Sequence, residues 1–552
     1  MLYDSARRRP APITALAEFA MLAEGWRRYL LLLVAGAIGG LSVPPFYVLP
    51  ALFVTLPIWV WSLDGAERLP GWRRLLGPAF RIGFAYGLGY FAVALHWLGA
   101  AFFVDGGVML VVMPFAILAL AALIAAFWGF ASALAHLFWS PGAWRIVTLA
   151  TFLTMAEWAR GHFFSGFPFD LLGYALAAND EMRQLASVVG VYGLTALAAL
   201  LAMTPALIWP ADQRTLTRRL VPFFFSLVVI AGQLAYGHYR LATTPLVPRT
   251  DMRMRLVQPM VLEHADWSTA NPADIITRLI NLSTARLSPS DPGISTVTQV
   301  VWPESSLPFF LSDYPEALAR MGRMLPPNGL LLTGAPREQY DPAQPNVAPD
   351  DRPAFNALIA VDRRGEIVSS YDKSHLVPFG EYLPFPQLFG LLGLKQFVPG
   401  ATGWQPGDGR RLMTPPNTPA FLALICYEAI FSGDLGSDIA GAQFILNITN
   451  DAWFDGSIGL AQHADHARLR AVEEGLPMVR VANSGLTESI DPLGRVTQSL
   501  PEEQVGVLDV VPDQRLPATV FTRLGYWPLL GAMLVGLGIA IWSARRGRRQ
   551  AA

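Results

Sequence analysis

The chain has 552 residues, of which 53% are hydrophobic and 15% are charged, against about 25% charged residues in ordinary soluble domains. Its mean hydropathy is +0.37, which indicates that a large part of it lies in a membrane. The formal net charge is −1, so no overall field favours a nucleic-acid partner, and the single cysteine excludes an internal disulfide bond.

Two apolar arms near the amino terminus predict a helical hairpin. No charged residue occurs from Tyr29 to Leu63, a run too long for one ordinary span, and Val43-Pro44-Pro45 interrupts it. Proline cannot continue a helix and disfavours helical backbone one residue earlier, so we expect the arms to be Tyr29–Ser42 and Tyr47–Leu63. No small-residue cleavage site of the signal-peptide kind is found, so we expect this segment to be retained.

Six further segments are apolar enough to be membrane spans, although Arg145 and Glu157 interrupt one of them. In chain order they are Ile82–Val104, Gly106–Ala135, Trp144–Trp158, Leu185–Ala211, Leu220–Tyr236 and Leu524–Ser543. With the hairpin they predict eight transmembrane helices. Seven belong to residues 1–243, and the last belongs to residues 517–552 with a basic tail.

The distribution of arginine predicts the orientation of these spans, because lysine and arginine collect on the cytoplasmic side of membrane proteins. With both chain ends inside, the cytoplasmic parts include Asp64–Arg81, Gln213–Arg219 and the tail Arg545–Arg549, all of which contain arginine. The outer connections, such as Gly161–Glu181, contain neither lysine nor arginine. The long segment between the seventh and eighth spans is therefore expected outside the cytoplasmic membrane.

Residues 244–516 have the composition of a water-soluble domain, because charged residues return and proline, glycine, aspartate and asparagine separate short apolar runs. The predicted strands are Met254–Val257, Thr296–Trp302, Gly329–Leu332, Ala357–Val361, Phe421–Ile425 and Phe444–Ile448. The predicted helices are Pro272–Ala285, Tyr314–Met324 and Ala461–Glu474. Strands that alternate with helices predict an α/β or α+β domain.

Three segments of this domain carry side chains suited to acyl transfer. Glu304 follows an apolar strand, Lys373 lies in the polar segment Tyr371–Tyr382, and Cys426 comes directly after the apolar run Phe421–Ile425. Each has a simpler interpretation when taken alone, since glutamate and lysine are mostly surface residues and a lone cysteine is often a small buried hydrophobe. Together they fit a mechanism, because a carboxylate can take the thiol proton and an ammonium can stabilise both a thiolate and an oxyanion.

The surroundings of these residues resemble the signatures of the nitrilase superfamily: Pro-Glu-Ser at 303–305, Lys-Ser-His-Leu-Val-Pro-Phe-Gly-Glu at 373–381 and Cys-Tyr-Glu at 426–428. Joined to eight spans, they make nearly the whole chain similar to the apolipoprotein N-acyltransferase family, the membrane-embedded branch of that superfamily. The resemblance implies an αββα sandwich in which Glu304 is the general base, Lys373 the oxyanion stabiliser and Cys426 the nucleophile. It also implies supporting or substrate-binding roles for Glu381, Tyr427, Glu428 and Trp267.

The same resemblance implies the reaction and its partners. A phospholipid, with phosphatidylethanolamine the expected donor, would acylate the cysteine, and the thioester would pass the acyl chain to the N-terminal amine of diacylglyceryl-cysteine in an apolipoprotein. The expected location is the bacterial inner membrane, with the catalytic domain on the periplasmic side. No cofactor is implied. His463 and His466 lie three residues apart, but no further cysteine could join them, so no metal site is predicted.

Two other functions remain open. A membrane-anchored amidase of the nitrilase superfamily would use the same three side chains, although one anchor would suffice for it. A non-catalytic scaffold or transporter would also explain the spans, but a transporter would be expected to carry more ionisable residues within them.

Three local features have two interpretations each. The apolar segment Leu383–Phe397 is either ordinary core or an arm that dips into the lipid surface. Gly161–Asp170 is either a structural loop or a floor to the active site. Asp455-Gly456 and Ser484 depart from the family's Gly-Asp and Asn-Asn-Gly patterns, which leaves the local backbone open.

Overall fold

A computed structural model of the chain describes residues 12–71, 75–107, 109–140, 142–209, 216–261, 271–339, 352–384, 403–433 and 437–551. The chain divides into two compact units, one of residues 1–99, 108–239 and 526–552 and the other of residues 100–107 and 240–525. The sequence-based boundaries were residues 243 and 516, so the short helix Val520–Leu524 falls in the second unit instead of with the last apolar helix.

The first unit is built from apolar helices. A helix lies at each of the eight segments predicted as spans, and the additional helix Pro12–Leu22 precedes them. The eight helices are Gly25–Gly39, Leu49–Asp64, Pro78–Ala94, Met109–Leu137, Trp144–His162, Ala186–Ala202, Leu216–Thr243 and Trp527–Ala551. Two short helices lie in connections: Asp180–Arg183 belongs to this unit, and Phe102–Asp105 falls in the second unit.

Within the described residues, 4 helices are long and apolar enough to cross a membrane, or 5 when a bent pair is counted as one span. The four are Met109–Leu137, Ala186–Ile208, Thr217–Thr243 and Trp527–Gly547. The bent pair, Pro78–Ala94 and His96–Val104, meets at 54° within the predicted third span. The total of eight spans therefore stays a prediction.

The charges that weakened the prediction of the fifth span are paired inside the helical unit. Arg145 lies 3.3 Å from the Asp64 carboxylate, and Glu157 forms an ion pair with Arg160 at 2.7 Å. The indole N–H of Trp128 also donates to Glu157 at 2.7 Å. Buried charges are tolerated when they are paired and hydrogen-bonded, so the helix Trp144–His162 can be buried in this unit despite its charged residues.

The second unit contains two six-stranded sheets in its described part. The strands are β1 Met254–Gln258, β2 Gln299–Val301, β3 Leu330–Glu338, β4 Ala354–Val361, β5 Ile367–Asp372, β6 Leu412–Met413, β7 Phe421–Ile425, β8 Phe444–Thr449, β9 Met478–Ala482, β10 Thr487–Ile490, β11 Val496–Leu500 and β12 Gly506–Val510. The sheet orders are β12-β1-β2-β3-β4-β5 and β11-β10-β9-β8-β7-β6. In each sheet three neighbouring strands, β1 to β3 or β7 to β9, run parallel.

The two sheets pack face to face and helices cover their outer faces, as expected for an αββα sandwich. Along β7, Ala423 and Ile425 belong to the apolar core between the sheets, whereas Leu424 points to the opposite face. The alternation follows from the two-residue period of a strand. The outer layers are the helices Pro272–Thr284 and Pro315–Met324 on the first sheet and Gly459–Glu474 on the second.

All six strands predicted from the sequence are present, but the structure contains further strands that the apolar pattern did not indicate. These are β5, β6 and β9 to β12. In β9 and β10 the apolar run is broken by Arg480 and Glu488, which are both buried in the folded domain. A charged residue in the middle of a short apolar run interrupts the pattern from which a buried strand is predicted. Burial of that charge becomes tolerable only when the tertiary structure supplies a partner for it.

Candidate active site

The proposed catalytic side chains follow strands whose ends lie at one edge of the sandwich. Glu304 follows β2, Lys373 follows β5 and Cys426 follows β7. Strands β2 and β5 point the same way in their sheet, because β2 and β3 are parallel and β3, β4 and β5 are successively antiparallel. Asn450, which follows β8, the parallel neighbour of β7, donates its backbone N–H to Glu304, so the end of β7 lies at the same edge. The fold therefore brings together Glu304, Lys373 and Cys426, which span 122 positions of the sequence.

Glu304 is buried and its carboxylate is held on both oxygens. Its Oε1 accepts from Lys373 Nζ at 3.1 Å and from Asn356 Nδ2 at 2.7 Å, and its Oε2 accepts from the backbone N–H of Asn450 at 2.8 Å. Gly334 in β3 allows the backbone to approach, since a Cβ there would lie 2.6 Å from the Cα of Glu304. The carboxylate is thus oriented by groups from both sheets.

Lys373 forms ion pairs with two carboxylates while only 1% of its side chain is exposed. Its Nζ donates to Glu304 Oε1 at 3.1 Å and to Glu381 Oε1 at 3.0 Å. Asn356 also joins the two carboxylates, donating to Glu381 Oε1 at 2.8 Å. Burial alone would lower the pKa of Lys373, but the nearby Glu304 and Glu381 carboxylates outweigh it and raise that pKa well above its ordinary value. The lysine is an ammonium at all physiological pH values.

Cys426 directly follows β7, begins the short 3₁₀ helix Cys426–Ile430 and has a left-handed backbone conformation, with φ at 49°. Such a conformation is unfavourable for a residue with a side chain, so the surrounding structure must hold it. Burial raises the pKa of the Cys426 thiol, and the Glu304 carboxylate raises it further, whereas Lys373 lowers it. The resting side chain is therefore a neutral thiol beside a group able to take its proton.

Glu428 joins the nucleophile strand to the segment that carries Lys373. Its Oε1 accepts from Tyr371 OH at 2.8 Å, from the Ser374 N–H at 2.8 Å and hydroxyl at 2.7 Å, and from the His375 N–H at 3.2 Å. Its Oε2 accepts from the Ile425 N–H at 2.8 Å. Glu428 therefore positions backbone and touches neither the thiol nor the ammonium in these contacts.

Two of the other expected supporting residues are described and one is not. Glu381 contacts Lys373 directly, and its Oε2 accepts from the Val377 N–H at 2.7 Å. Tyr427 is buried and its ring lies 5.1 Å from that of Phe431 in an edge arrangement. Trp267 and nearly all of the proposed arm Leu383–Phe397 lie outside the described residues.

The sequence suggested His463 only as a possible metal ligand and gave no specific role to Asp451 or Arg480. In the structure His463 Nδ1 lies 2.8 Å from Asp451 Oδ1, and Arg480 Nη2 donates to Asp451 Oδ2 at 2.6 Å. Possible ligand atoms of Cys426, Asp451 and His463 lie within 4.8 Å of one another, but the carboxylate and imidazole atoms are already engaged in hydrogen bonds. The cluster was visible in the sequence only as a polar residue after a strand and a histidine on a helix.

The pKa of Asp451 identifies the charges that stabilise this cluster. Burial would raise that pKa, but Arg480 and His463 lower it to about 2. Thr449 donates its hydroxyl to Asp451 Oδ1 at 2.8 Å. Asp451 is therefore a carboxylate, and it stays charged throughout the physiological pH range.

The two departures from the family pattern contact each other. The Ser484 hydroxyl donates to the carboxylate of Asp455. Next to Ser484, the Asn483 amide donates to Asn450 Oδ1 at 3.0 Å and to the Val261 carbonyl at 2.7 Å. The loops after β8 and β9 are thus joined beside the backbone N–H that holds Glu304.

The loop Gly161–Asp170 belongs to the helical unit, where Arg160 fastens it. The Arg160 guanidinium donates to the carbonyls of Phe167 and Phe169, the second at 2.9 Å. At the tip of the loop, Phe164 is 87% exposed. The loop thus has a hydrogen-bonded base and an exposed apolar tip, and its role as a floor to the active site stays a prediction.

Family models match both the amino-terminal helical part of the chain and the later α/β part. Residues 35–204 match the family model for the apolipoprotein N-acyltransferase N-terminal domain, and residues 295–516 match the model for carbon-nitrogen hydrolase. Among solved structures, an amidase of the nitrilase superfamily from Nesterenkonia is 15% identical with a TM-score of 0.31, covering 52% of this chain and 99% of that one.

Curated relatives extend over nearly the whole chain. Apolipoprotein N-acyltransferase from Rhodopseudomonas palustris is 39% identical over 531 residues, which are 96% of this chain and 97% of the relative. The enzyme of the same name from Brucella suis is 37% identical over 546 residues, with 97% and 99% covered. The chain therefore belongs to the apolipoprotein N-acyltransferase family, and it is an acyltransferase that contains a carbon-nitrogen hydrolase domain.

Proposed function

We propose that this enzyme transfers an acyl chain from a phospholipid to Cys426 and from there to the N-terminal amine of diacylglyceryl-cysteine in an apolipoprotein. The observation that supports the proposal is the convergence of Glu304, Lys373 and the Cys426 backbone turn at one edge of the sandwich. A thiol, a base and a fixed cation are what acyl transfer through a thioester requires.

In the first half-reaction, Glu304 accepts the proton of the Cys426 thiol while the sulfur attacks the carbonyl carbon of a phospholipid ester. The carbonyl oxygen becomes an oxyanion. An ammonium has three N–H groups, and Lys373 directs two toward carboxylates, so the third can be donated to that oxyanion. The C–O bond then breaks, Glu304 returns its proton to the leaving alkoxide, and a lysophospholipid departs.

In the second half-reaction, the amine of the apolipoprotein attacks the thioester carbonyl. Glu304 takes the proton that the nitrogen loses, and Lys373 stabilises the second oxyanion. The C–S bond breaks, the sulfur regains a proton from Glu304, and the product is an amide. Because the first product leaves before the second substrate reacts, the kinetics should be ping-pong.

Membrane embedding suits this chemistry. Moving an acyl chain into water costs about 0.8 kcal/mol for each CH₂ group, and a site beside the bilayer avoids that cost. The arginine distribution supports eight spans with the catalytic domain on the periplasmic side of the inner membrane. Phosphatidylethanolamine is the donor that we propose, as the family resemblance implies.

The proposal is tested by trapping the acyl-enzyme. The purified protein is incubated with phosphatidylethanolamine labelled in its acyl chains, and the adduct is treated with hydroxylamine, which cleaves thioesters. We expect a hydroxylamine-sensitive label in the wild type and none in Cys426→Ala. A label that persists in Cys426→Ala would refute the thioester. Release of ammonia from small amides without lipid transfer would instead favour a membrane-anchored amidase.

A further inference from the structure

The carbonyl of Cys426 has a side-chain partner that the proposed reaction does not use. His463 Nε2 lies 3.1 Å from the Cys426 carbonyl oxygen. A carbonyl oxygen can only accept, so Nε2 carries the hydrogen in this contact. His463 comes from the buried helix Gly459–Glu474, so the donor is supplied by an element separate from the nucleophile strand.

The orientation of the imidazole is itself fixed by charge. On the opposite side of the ring, Nδ1 lies 2.8 Å from Asp451 Oδ1. Asp451 is in turn held by Arg480 at 2.6 Å and by the Thr449 hydroxyl at 2.8 Å. Arg480, Asp451 and His463 thus form a buried polar chain that ends at the backbone of the nucleophile.

We propose that His463 is a positioning residue that holds Cys426 in its left-handed conformation. The backbone is then held before and at the nucleophile: the N–H of the preceding residue, Ile425, donates to Glu428, and the Cys426 carbonyl accepts from His463. With φ at 49°, Cys426 would otherwise relax toward ordinary backbone and turn its sulfur away from Glu304. This inference rests on the proposed role of Cys426 as the nucleophile.

Two amide substitutions at position 463 separate this role from simple packing. The amide nitrogen of glutamine can approximate the position of Nε2, and that of asparagine can approximate the position of Nδ1. Both variants lose the ring, but only His463→Gln keeps a donor for the Cys426 carbonyl. The measurement is the rate of acyl-enzyme formation with labelled phosphatidylethanolamine, taken across lipid concentrations to separate the maximal rate from KM.

We expect His463→Asn to lower the maximal acylation rate by about 100-fold with little change in KM, because a misplaced nucleophile reacts slowly after normal binding. The maximal acylation rate of His463→Gln should be at least about tenfold higher than that of His463→Asn, since glutamine restores the directed hydrogen bond. Arg468→Lys, on the same helix and hydrogen-bonded to the Gly494 carbonyl, serves as the control and should retain the wild-type rate.

Equal rates in the glutamine and asparagine variants, or a wild-type rate in His463→Asn, would overturn the inference. If His463→Asn does not fold, Asp451→Asn provides the second test, because it loosens the ring and keeps the donor. It should slow acylation without raising KM, and an unchanged rate would also count against the positioning role. A Cys426→Ala variant that still forms the adduct would refute the proposed function itself.

Discussion

Glu428→Gln tests whether one buried carboxylate holds the two catalytic segments together. The carboxylate accepts five hydrogen bonds, four on Oε1 and one on Oε2. Glutamine has one acceptor oxygen and one NH₂ group. Glutamine keeps more of these bonds when its oxygen occupies the Oε1 position. Its NH₂ group then occupies the Oε2 position and faces the Ile425 N–H, so that two hydrogen-bond donors point at each other.

The energetic cost follows from this count. The bond to Ile425 is lost and leaves a buried donor unsatisfied, which costs about 1–3 kcal/mol. The four bonds that remain pass from a charged acceptor to a neutral one, which weakens each of them. We therefore expect the variant to lose about 2–4 kcal/mol of stability. For a large domain, each kcal/mol lowers Tm by about 2–4 °C.

The lost bond also affects the reaction, because Ile425 immediately precedes Cys426. We expect kcat for lipid-to-peptide acyl transfer to fall by about 100-fold, with a smaller change in KM. The assay is transfer from labelled phosphatidylethanolamine to a diacylglyceryl peptide, combined with thermal unfolding in detergent. A Glu428→Gln enzyme with wild-type kcat and Tm would refute the reasoning.

Glu474→Gln is the matched control for this substitution. Burial and the neighbouring Glu473 raise the pKa of Glu474 to about 7, so the protonated acid that glutamine imitates is well populated near neutral pH. Its Oε2 accepts from the Thr522 hydroxyl at 2.9 Å, a bond that an amide oxygen can keep. We expect activity and Tm close to those of the wild type at pH 7.

Three further predictions concern the same domain. Lys373→Met leaves two buried carboxylates without their cation. It should abolish formation of the acyl adduct and lower the free energy of unfolding by about 3–5 kcal/mol, measured by thermal unfolding. A stable, active variant would contradict the ion-pair geometry. Gly334→Ala should lower kcat by about 100-fold, because the new Cβ would lie 2.6 Å from the Cα of Glu304. The control Gly506→Ala should be tolerated, since the nearest atom to its new Cβ would lie 3.7 Å away. Similar kcat values in the two variants would refute this reasoning. The pKa of Asp451 is about 2, below its unfolded value of about 3.9, so its contribution of about 2 kcal/mol is present above pH 4 and lost as the pH falls toward 2. Unfolding experiments from pH 2 to pH 6 should therefore show that the stability difference between wild type and Asp451→Asn shrinks in acid, and a constant difference would contradict the assignment.

Local patterns in the sequence were sufficient to predict the strands and helices that bury apolar side chains. The runs that became β7 and β8, and the helix Pro272–Thr284, were predicted within a residue or two of their ends. This works because hydrophobic burial imposes a period of two or 3.6 residues on the sequence itself. The residues Glu304 and Cys426 were proposed as catalytic for the same reason, since Cys426 directly follows such a run and Glu304 comes two residues after one.

Elements that bury charge could not be found in this way. Arg480 lies in the middle of β9, and its partner Asp451 is 29 positions away in the sequence. Arg145 and Glu157 similarly made a helix of the first unit look doubtful until their partners were known. A buried charge is acceptable only when another part of the chain supplies its counter-charge.

The same distinction separates the candidate catalytic residues from those that orient them. The sequence by itself determined the kinds of side chain present, the apolar strands that deliver them and the family to which the chain belongs. Only the tertiary structure decided that Asn356 joins Glu304 to Glu381 and that His463 contacts the Cys426 carbonyl. Hydrogen bonds and ion pairs depend on atoms that meet within about 3 Å, and sequence patterns do not record which distant atoms will meet.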